Sequence, residues 1–225
     1  MTPADISVVI PTLDEAATIA AAIESVRDAG QVIVVDGGSR DATCSIAETF
    51  AGVTVVTSAP GRGVQLASGA ERCERPVWLF LHADCQLAPS ALDEICKTFE
   101  RAPTRGWGAL RQRIDAAGFR FRLLEMGNAA RVRFRGLPFG DQAMFVKADW
   151  YRRAGGFEPL PLMEDLRLSL RLRRRAWPLL VEGPVIVSDR RWRRVGVARQ
   201  TVLNTLLQCG HALGISPARL ARFYR

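Results

Sequence analysis

Apolar residues arrive in short, β-branched runs through the first hundred positions. The runs at 6–10, 31–35, 53–57 and 77–81 are rich in valine and isoleucine, and the first two end abruptly in acidic residues. Runs of this length, bounded by polar residues, predict buried strands. Between the first two, Ala16, Ile19, Ala20, Ile23 and Val26 recur at helical spacing. Thr12 followed by Glu15 predicts a capping box at the start of that helix. Ser39 or Asp41 is placed to cap a second helix, 63–72 reads as a third, and Pro89 with Ser90 opens a fourth that runs to about 101. Strands alternating with helices imply parallel pairing through right-handed crossovers.

The second half departs from that rhythm. A strand is predicted over 107–114, a basic amphipathic helix over 119–134, a strand over 142–147, and a further strand ending near Ser188. Over 164–176 a helix is expected, although Leu166, Leu168, Leu170 and Leu172 at every second position also fit a strand. Helices are expected again over 197–213 and 217–224. No internal repeat or long linker interrupts the chain. The expectation is a single α/β domain over 1–225, with its change of rhythm near residue 105.

Composition narrows the class. The chain carries 31 basic and 23 acidic residues, a formal charge of +8, and Lys97 and Lys147 are its only lysines. Arginine suits phosphate through its planar fork, and codon bias gives the same composition. Cys44, Cys73, Cys85, Cys96 and Cys209 are scattered and odd in number, which predicts reduced thiols in a cytoplasmic protein. His82 and His211 are the only histidines and no cysteine cluster accompanies them, so zinc is not expected. Asp5 stands where a basic signal region would lie, and no apolar run reaches the roughly 18–20 residues of a membrane span. The basic stretch 119–134 leaves peripheral contact with the inner membrane face open, with Phe119, Phe121, Leu123 and Leu124 against the bilayer; a solvated face is the default reading. Nucleic acid is not expected as a partner, since net charge alone supports only non-specific binding.

The chemistry concentrates at strand ends, where open α/β sheets bind ligands. Pro11 lacks an N–H donor and is expected to end strand pairing, so that Thr12 and Leu13 present backbone to a flat base. Asp36 precedes Gly37 and Gly38; its carboxylate can accept a ring N–H of uracil or guanine, or can cap a turn. The glycines permit close approach. Gly61-Arg62-Gly63-Val64-Gln65-Leu66 follows the third run and His82-Ala83-Asp84 the fourth. Asp84 is suited to a hard divalent cation. Met163-Glu164-Asp165 supplies carboxylates able to act as a base or to cap a helix. Arg190-Arg191-Trp192-Arg193-Arg194 offers guanidinium groups to phosphate, or forms a basic surface patch.

Taken together these segments resemble glycosyltransferase family 2, of the GT-A fold: a Rossmann-like mixed, mainly parallel sheet flanked by helices. Val9-Ile10-Pro11-Thr12-Leu13-Asp14-Glu15 is similar to the family's vvIPtyNE segment, and Val34-Val35-Asp36-Gly37-Gly38-Ser39-Arg40-Asp41 to its ivVDdgStD segment. The resemblance implies that Pro11, Thr12, Leu13, Glu15, Asp36 and Gly38 bind the nucleoside end of a sugar nucleotide, with Arg62 and Gln65 facing ribose or diphosphate. It places His82, Ala83 and Asp84 where GT-A enzymes carry D-x-D. Asp84 would then ligate Mg²⁺ or Mn²⁺, and His82, replacing the first Asp, would meet ribose, phosphate or Mn²⁺. Asp165 matches the general base of an ED pair, with Glu164 second. Gly140, Asp141 and Gln142 would line the donor-sugar and acceptor site. Arg191 and Trp192 are similar to a Q/R-x-x-R-W element that contacts diphosphate and acceptor. The whole looks like a compact bacterial subgroup, implying a nucleotide-binding half of about 1–105, an acceptor-binding half of about 106–225, and inverting transfer of a sugar from a nucleotide-diphosphate sugar, UDP- or GDP-linked, to a hydroxyl acceptor. The alternatives are a sugar nucleotidyltransferase, whose G-x-G-x-R loop is not matched after the first strand, and a non-catalytic protein that binds anionic membranes or nucleic acid.

Overall fold

The computed structural model describes residues 1–223, apart from the side chains of Arg191, Arg194, Ala198 and Ala212. The first half alternates as its pattern predicts: β1 (Ile6–Thr12), α1 (Ile19–Glu24), β2 (Gln31–Asp36), α2 (Thr43–Glu48), β3 (Val53–Thr57), α3 (Arg62–Ala70), β4 (Val77–Phe80), β5 (Cys85–Leu87) and α4 (Ala91–Arg101). The second half follows with β6 (Trp107–Ile114), α5 (Phe119–Arg135), β7 (Met144–Lys147), α6 (Ala148–Arg153), α7 (Glu164–Arg173), β8 (Leu179–Val187), α8 (Arg190–Val195), α9 (Val197–Ala212) and α10 (Pro217–Ala221). The strands form one eight-stranded sheet in the order β3-β2-β1-β4-β7-β6-β8-β5. Strands β1 to β4 pair in parallel; β7 is antiparallel to both β4 and β6.

The central strands are apolar throughout because both faces are covered. From β1, Ile6, Val8 and Ile10 pack on one side with residues of α1 and α4, while Val9 packs on the other with Leu66 and Ala70 of α3 and Leu168 and Leu172 of α7. The two-residue spacing of leucines in α7 has the same cause. Leu168 and Leu172 enter that second core, whereas Leu166 and Leu170 join a third cluster with Leu162, Leu207 and Leu220. A helix buried on two sides carries more leucines than one face requires, and so mimics strand alternation.

Several local expectations are corrected. Thr12 stays in β1, paired in register with Asp36, and its hydroxyl has no hydrogen-bond partner among the described residues, so no capping box forms there. Instead α1 starts after Thr18, with the Thr18 and Ile19 N–H groups donating to Glu15 O. Pro11 does not end pairing with β2; it lies opposite Val35. Pairing stops on the other side, where β4 runs alongside β1 only as far as Val9 and Leu81 N–H donates to Val9 O. The predicted strand over 142–147 begins at Met144, because Gly140–Gln142 forms a 3₁₀ turn. Of the four residues expected to face a bilayer, Phe121 and Leu124 are partly buried, and Phe121 lies edge-on to Trp192 at 6.3 Å between ring centroids. The helix expected to reach 224 ends at Ala221, and Tyr224 lies outside the described residues.

Helix α3 lies close on β1 and β2 because Gly69 faces them without a side chain: a Cβ there would overlap the side chains of Val9 and Val35. Both valines sit in packed strands and have little room to move. Gly69→Ala is therefore expected to destabilise the fold by about 1–3 kcal/mol through overpacking, despite alanine's better helix propensity. Urea unfolding followed by circular dichroism checks this; unchanged or increased stability would contradict it.

Candidate active site

The strand order places β2 and β3 on one side of β1 and β4 on the other, so chain direction across the sheet reverses between β1 and β4. That is the switch point at which open α/β sheets bind ligands. Pro11 sits at this divergence. Its missing N–H faces the side that β4 has left, so no ladder bond is lost.

Two loops at this edge are laced together. Asp14 N–H donates to Ser39 Oγ (2.9 Å), Arg40 N–H to Asp14 Oδ1 (2.7 Å), Glu15 N–H to Thr43 Oγ1 (2.8 Å) and Ala16 N–H to Asp41 Oδ2 (3.1 Å). Asp36 is buried, and its carboxylate accepts from Gly38 N–H, Ser39 N–H and the Ser39 hydroxyl. Burial pushes its pKa up and these donors push it down, with a net lowering. Asp36 does cap its turn, then, and the turn fixes the carboxylate at the strand end. Gly38 adopts φ +96° with open space beside its Cα, while Leu13 is exposed.

Gln65 departs from expectation. It is buried, and its amide donates to Thr12 O (2.8 Å) and Val35 O (2.9 Å), clamping β1 to β2. With both N–H groups engaged by the sheet, it positions the strand ends and does not face ribose or diphosphate.

The cleft itself is lined by residues from both halves of the chain. Arg62, His82, Asp84, Asp141, Asp165 and Trp192 meet there, with Gly140 and an apolar wall that includes Leu162, Met163 and Val187. Asp165 Oδ2 accepts from Gly140 N–H (2.7 Å), and its Oδ1 accepts from Leu166 N–H (2.7 Å) at the start of α7. Met163, the residue before that helix, has φ +67°, and Ala143, after the 140–142 turn, has φ +45°. Two non-glycine residues in the left-handed region beside one cleft mark backbone held in a required shape. Gly140 is required for space, because a Cβ would press against His82 Nε2.

Glu164 turns away from the cleft. Its side chain is 1% exposed and ion-paired with Arg62, which is partly exposed. Burial raises its pKa and the Arg62 guanidinium opposes that rise. Its geometry is that of a structural anchor linking α3 to α7, and it leaves Asp165 as the carboxylate that reaches the cleft. Gln142 is also fully buried: its Oε1 accepts from Arg131 (2.8 Å) and from Phe139 N–H (3.3 Å), so it orders the turn rather than lining the cleft. Asp141 Oδ2 accepts from Gln112 (2.9 Å), and its buried Oδ1 has no partner among the described residues. Ala83 packs in the core.

His82 lies among Arg62, Asp84, Asp141 and Asp165. Burial, followed by the Arg62 charge, brings its pKa down to about 4, against the opposing pull of the three carboxylates. A neutral imidazole results at physiological pH. His82, Asp84 and Cys85 also bring their donor atoms within 4.8 Å of one another, a possible metal site.

Sequence reasoning missed two features. Arg190 Nη2 donates to both carboxylate oxygens of Glu15 (2.9 Å each), tying α8 to the loop after β1. The side chain of its neighbour Arg191, the expected diphosphate contact, lies outside the described residues. Along α9, Gln200, Asn204 and Gln208 line the same cleft, with Gln200 Nε2 donating to Asn204 Oδ1 (2.8 Å) and Gln208 Nε2 to Asn204 O (3.0 Å). Their four-residue spacing in a helix without acidic residues was the available signal.

An α/β sheet with a switch-point cleft, an acid-capped strand end and a carboxylate at a helix start has the layout of a ligand-binding α/β domain. The Glycosyl transferase family 2 model matches residues 7–154, and the chain belongs to that family. It is 38% identical over 86 residues to glycosyltransferase AglJ of Haloferax volcanii, a match covering 37% of this chain and 28% of AglJ. Among solved structures, Staphylococcus aureus TarS residues 1–349 in complex with UDP-GlcNAc matches with a TM-score of 0.65 at 16% identity, over 84% of this chain and 58% of that one. Glucosyl-3-phosphoglycerate synthase of Mycobacterium tuberculosis, in complex with Mn²⁺, UDP and glucosyl-3-phosphoglycerate, matches with a TM-score of 0.64 at 21% identity, over 91% of this chain and 80% of that one. These likenesses show the GT-A fold.

Two outcomes follow from the site's electrostatics. Arg62→Ala leaves Glu164 as an unpaired buried acid and is expected to cost about 3 kcal/mol, the low end for such pairs because Arg62 is partly exposed. Arg62→Ala with Glu164→Gln should recover part of that loss in urea unfolding; equal losses would show that the pair carries no weight. His82 protonates near 6.5 when unfolded but only near 4 when folded, so stability is retained above 6.5 and falls as pH drops toward 4. Melting temperatures measured in EDTA should therefore decline less steeply between pH 6.5 and 4.5 for His82→Gln than for the unmodified protein; parallel curves would reject the assignment.

Proposed function

We propose that the protein is an inverting glycosyltransferase that moves a sugar from a nucleotide-diphosphate sugar, UDP- or GDP-linked, to a hydroxyl acceptor. The observation that carries this reading is the convergence of Asp165, Arg62 and Asp84 on one cleft at the β1/β4 switch point, in a chain of glycosyltransferase family 2. The nucleoside lies over the laced loops after β1 and β2, beside Thr12, Leu13, Glu15, Asp36 and Gly38. Asp165 takes the proton of the acceptor hydroxyl as that oxygen attacks the anomeric carbon. Its two N–H donors hold the carboxylate in place for this role. Arg62 stabilises charge on the departing diphosphate, and Arg191 is proposed to assist.

The donor set suits a hard divalent ion at Asp84 and His82. The carboxylate and the neutral imidazole are both acceptable to Mn²⁺, and the unpartnered Asp141 Oδ1 lies in the same cleft. Cys85 is buried, with its sulfur 3.6 Å from Asp84 Oδ1, and a thiol is a poor ligand for either Mg²⁺ or Mn²⁺. Mg²⁺ or Mn²⁺ held there would supply positive charge against the diphosphate. On the acceptor side, Trp192, Gln200, Asn204 and Gln208 line Asp165's cleft. Neutral amides suit neutral hydroxyls, as in a sugar or polyol.

Calorimetric titration with UDP- and GDP-sugars, each with Mn²⁺ and with EDTA, tests the donor. Binding of one class, strengthened by Mn²⁺, is expected; binding to none would overturn the reading. Asp165→Asn should keep donor binding and lose about 10²–10⁴-fold in turnover. Retained turnover would remove Asp165 as the base. Pyrophosphate release from a nucleoside triphosphate and a sugar phosphate would point instead to a nucleotidyltransferase.

A further inference from the structure

Most of the large apolar side chains left in solvent belong to α5, α9 and the segment that follows α9. Helix α5 exposes Phe119 (79%), Leu123 (57%), Met126 (60%) and Phe134 (75%). Their spacing of four, three and eight residues keeps them on one face over about 22 Å of helix. Helix α9 exposes Val202 (58%) and Leu206 (63%), and Leu213 and Phe223 beyond it are exposed as well. The two helices flank one groove, lined by Gly127, Ala130 and Phe134 from α5 and by Thr205 and Gln208 from α9. Gln208 also lines the cleft, so the groove adjoins the site.

Basic charge predominates around this face. Between Arg190 and Arg225 the sequence contains eight arginines and no acidic residue; α5 adds five arginines against Glu125 alone. Glu125 is buried, accepting from Ile114 N–H and facing Arg122. Asp189 is paired with Arg193, and Asp115 adds attraction to that same arginine. Arg120, Arg133, Arg135 and Arg199 remain exposed around the apolar stripes.

We propose that the α5–α9 face docks on an anionic lipid bilayer, with Phe119, Leu123, Met126, Phe134, Val202 and Leu206 entering the interface and the arginines meeting lipid phosphates. Exposed apolar stripes rimmed by cations are the pattern of interfacial helices. A second copy of the chain fits the face poorly, because pairing it with itself sets arginine against arginine with no exposed carboxylate on either helix to compensate. Docking also has a mechanical link to the cleft. On the inner side of α5, Asn128 donates to Gln112, Gln112 donates to Asp141, and Arg131 donates to Gln142, so the helix that meets the bilayer also holds the 140–142 turn. The cleft would then open beside the headgroup layer.

Co-sedimentation of the full chain with vesicles tests this, comparing phosphatidylcholine alone with phosphatidylcholine containing phosphatidylglycerol, at low and high salt. Binding to the anionic vesicles is expected, weakened by about tenfold or more in high salt or in the absence of phosphatidylglycerol. Leu123→Ser with Met126→Ser, and separately Arg120→Glu with Arg133→Glu, should each abolish most of it. All four side chains are exposed, and sugar-nucleotide titration on the same variants checks that the cleft is intact and keeps failure of docking separate from failure of the donor reading. Absence of binding to anionic vesicles, or binding unchanged in both variants, would overturn the proposal. So would a concentration-dependent dimer in sedimentation velocity that Leu123→Ser with Met126→Ser dissolves, which would assign the face to self-association.

Discussion

Everything in the cleft depends on β1 and β4 parting company after Val9. Up to that point β1 is hydrogen-bonded on both sides. Beyond it, β2 alone remains, and Pro11 stands where a ladder donor would have no partner. The gap leaves room for the loop after β4, which carries His82 and Asp84, to sit across from the loop after β1. Gln65 reinforces the arrangement from below by bonding to carbonyls of both β1 and β2. A buried amide with both protons engaged holds the ends of β1 and β2 in register while β4 turns away.

The second half of the chain reaches this gap through a small number of buried polar contacts. Arg62 and Glu164 tie α3 to α7 and so bring Asp165 to the cleft. Arg131, partly buried, bonds to Leu137 O, Asn128 and Gln142 and stacks over the Phe139 ring at 3.7 Å. Its pKa is lowered by burial, offset by Asp141 and Asp165. Such groups are costly to bury and costlier to leave unpaired, so each fixes one arrangement of its neighbours. The left-handed residues Met163 and Ala143 directly adjoin Glu164 and Gln142, which make two of these contacts.

Many of the sequence expectations concerned residues that the structure uses for shape. Asp36 sits at its predicted strand end, yet its carboxylate is engaged by its own turn. Gln65, Gln142 and Glu164 fall at predicted positions beside the cleft but point into the protein. A motif reports that a residue belongs near the site. Whether its side chain faces ligand or scaffold depends on one or two dihedral angles, which spacing does not encode. Asp84, His82, Asp141 and Asp165 do reach the cleft, and the α9 amides join them from a segment with no motif of its own.

The sequence by itself determined the alternation of strands and helices in the first hundred residues, because runs buried on both faces must be apolar and must end in turn residues. It determined the acidic strand ends for the same reason: charge cannot continue into the sheet. Only the tertiary structure decided that β7 runs antiparallel between β4 and β6, that α7 is a helix despite its alternating leucines, and that Arg190 reaches back 175 positions to Glu15. These outcomes turn on which surfaces meet. Contact between distant segments is set by the summed packing of the core and carries no local periodicity from which it could be read.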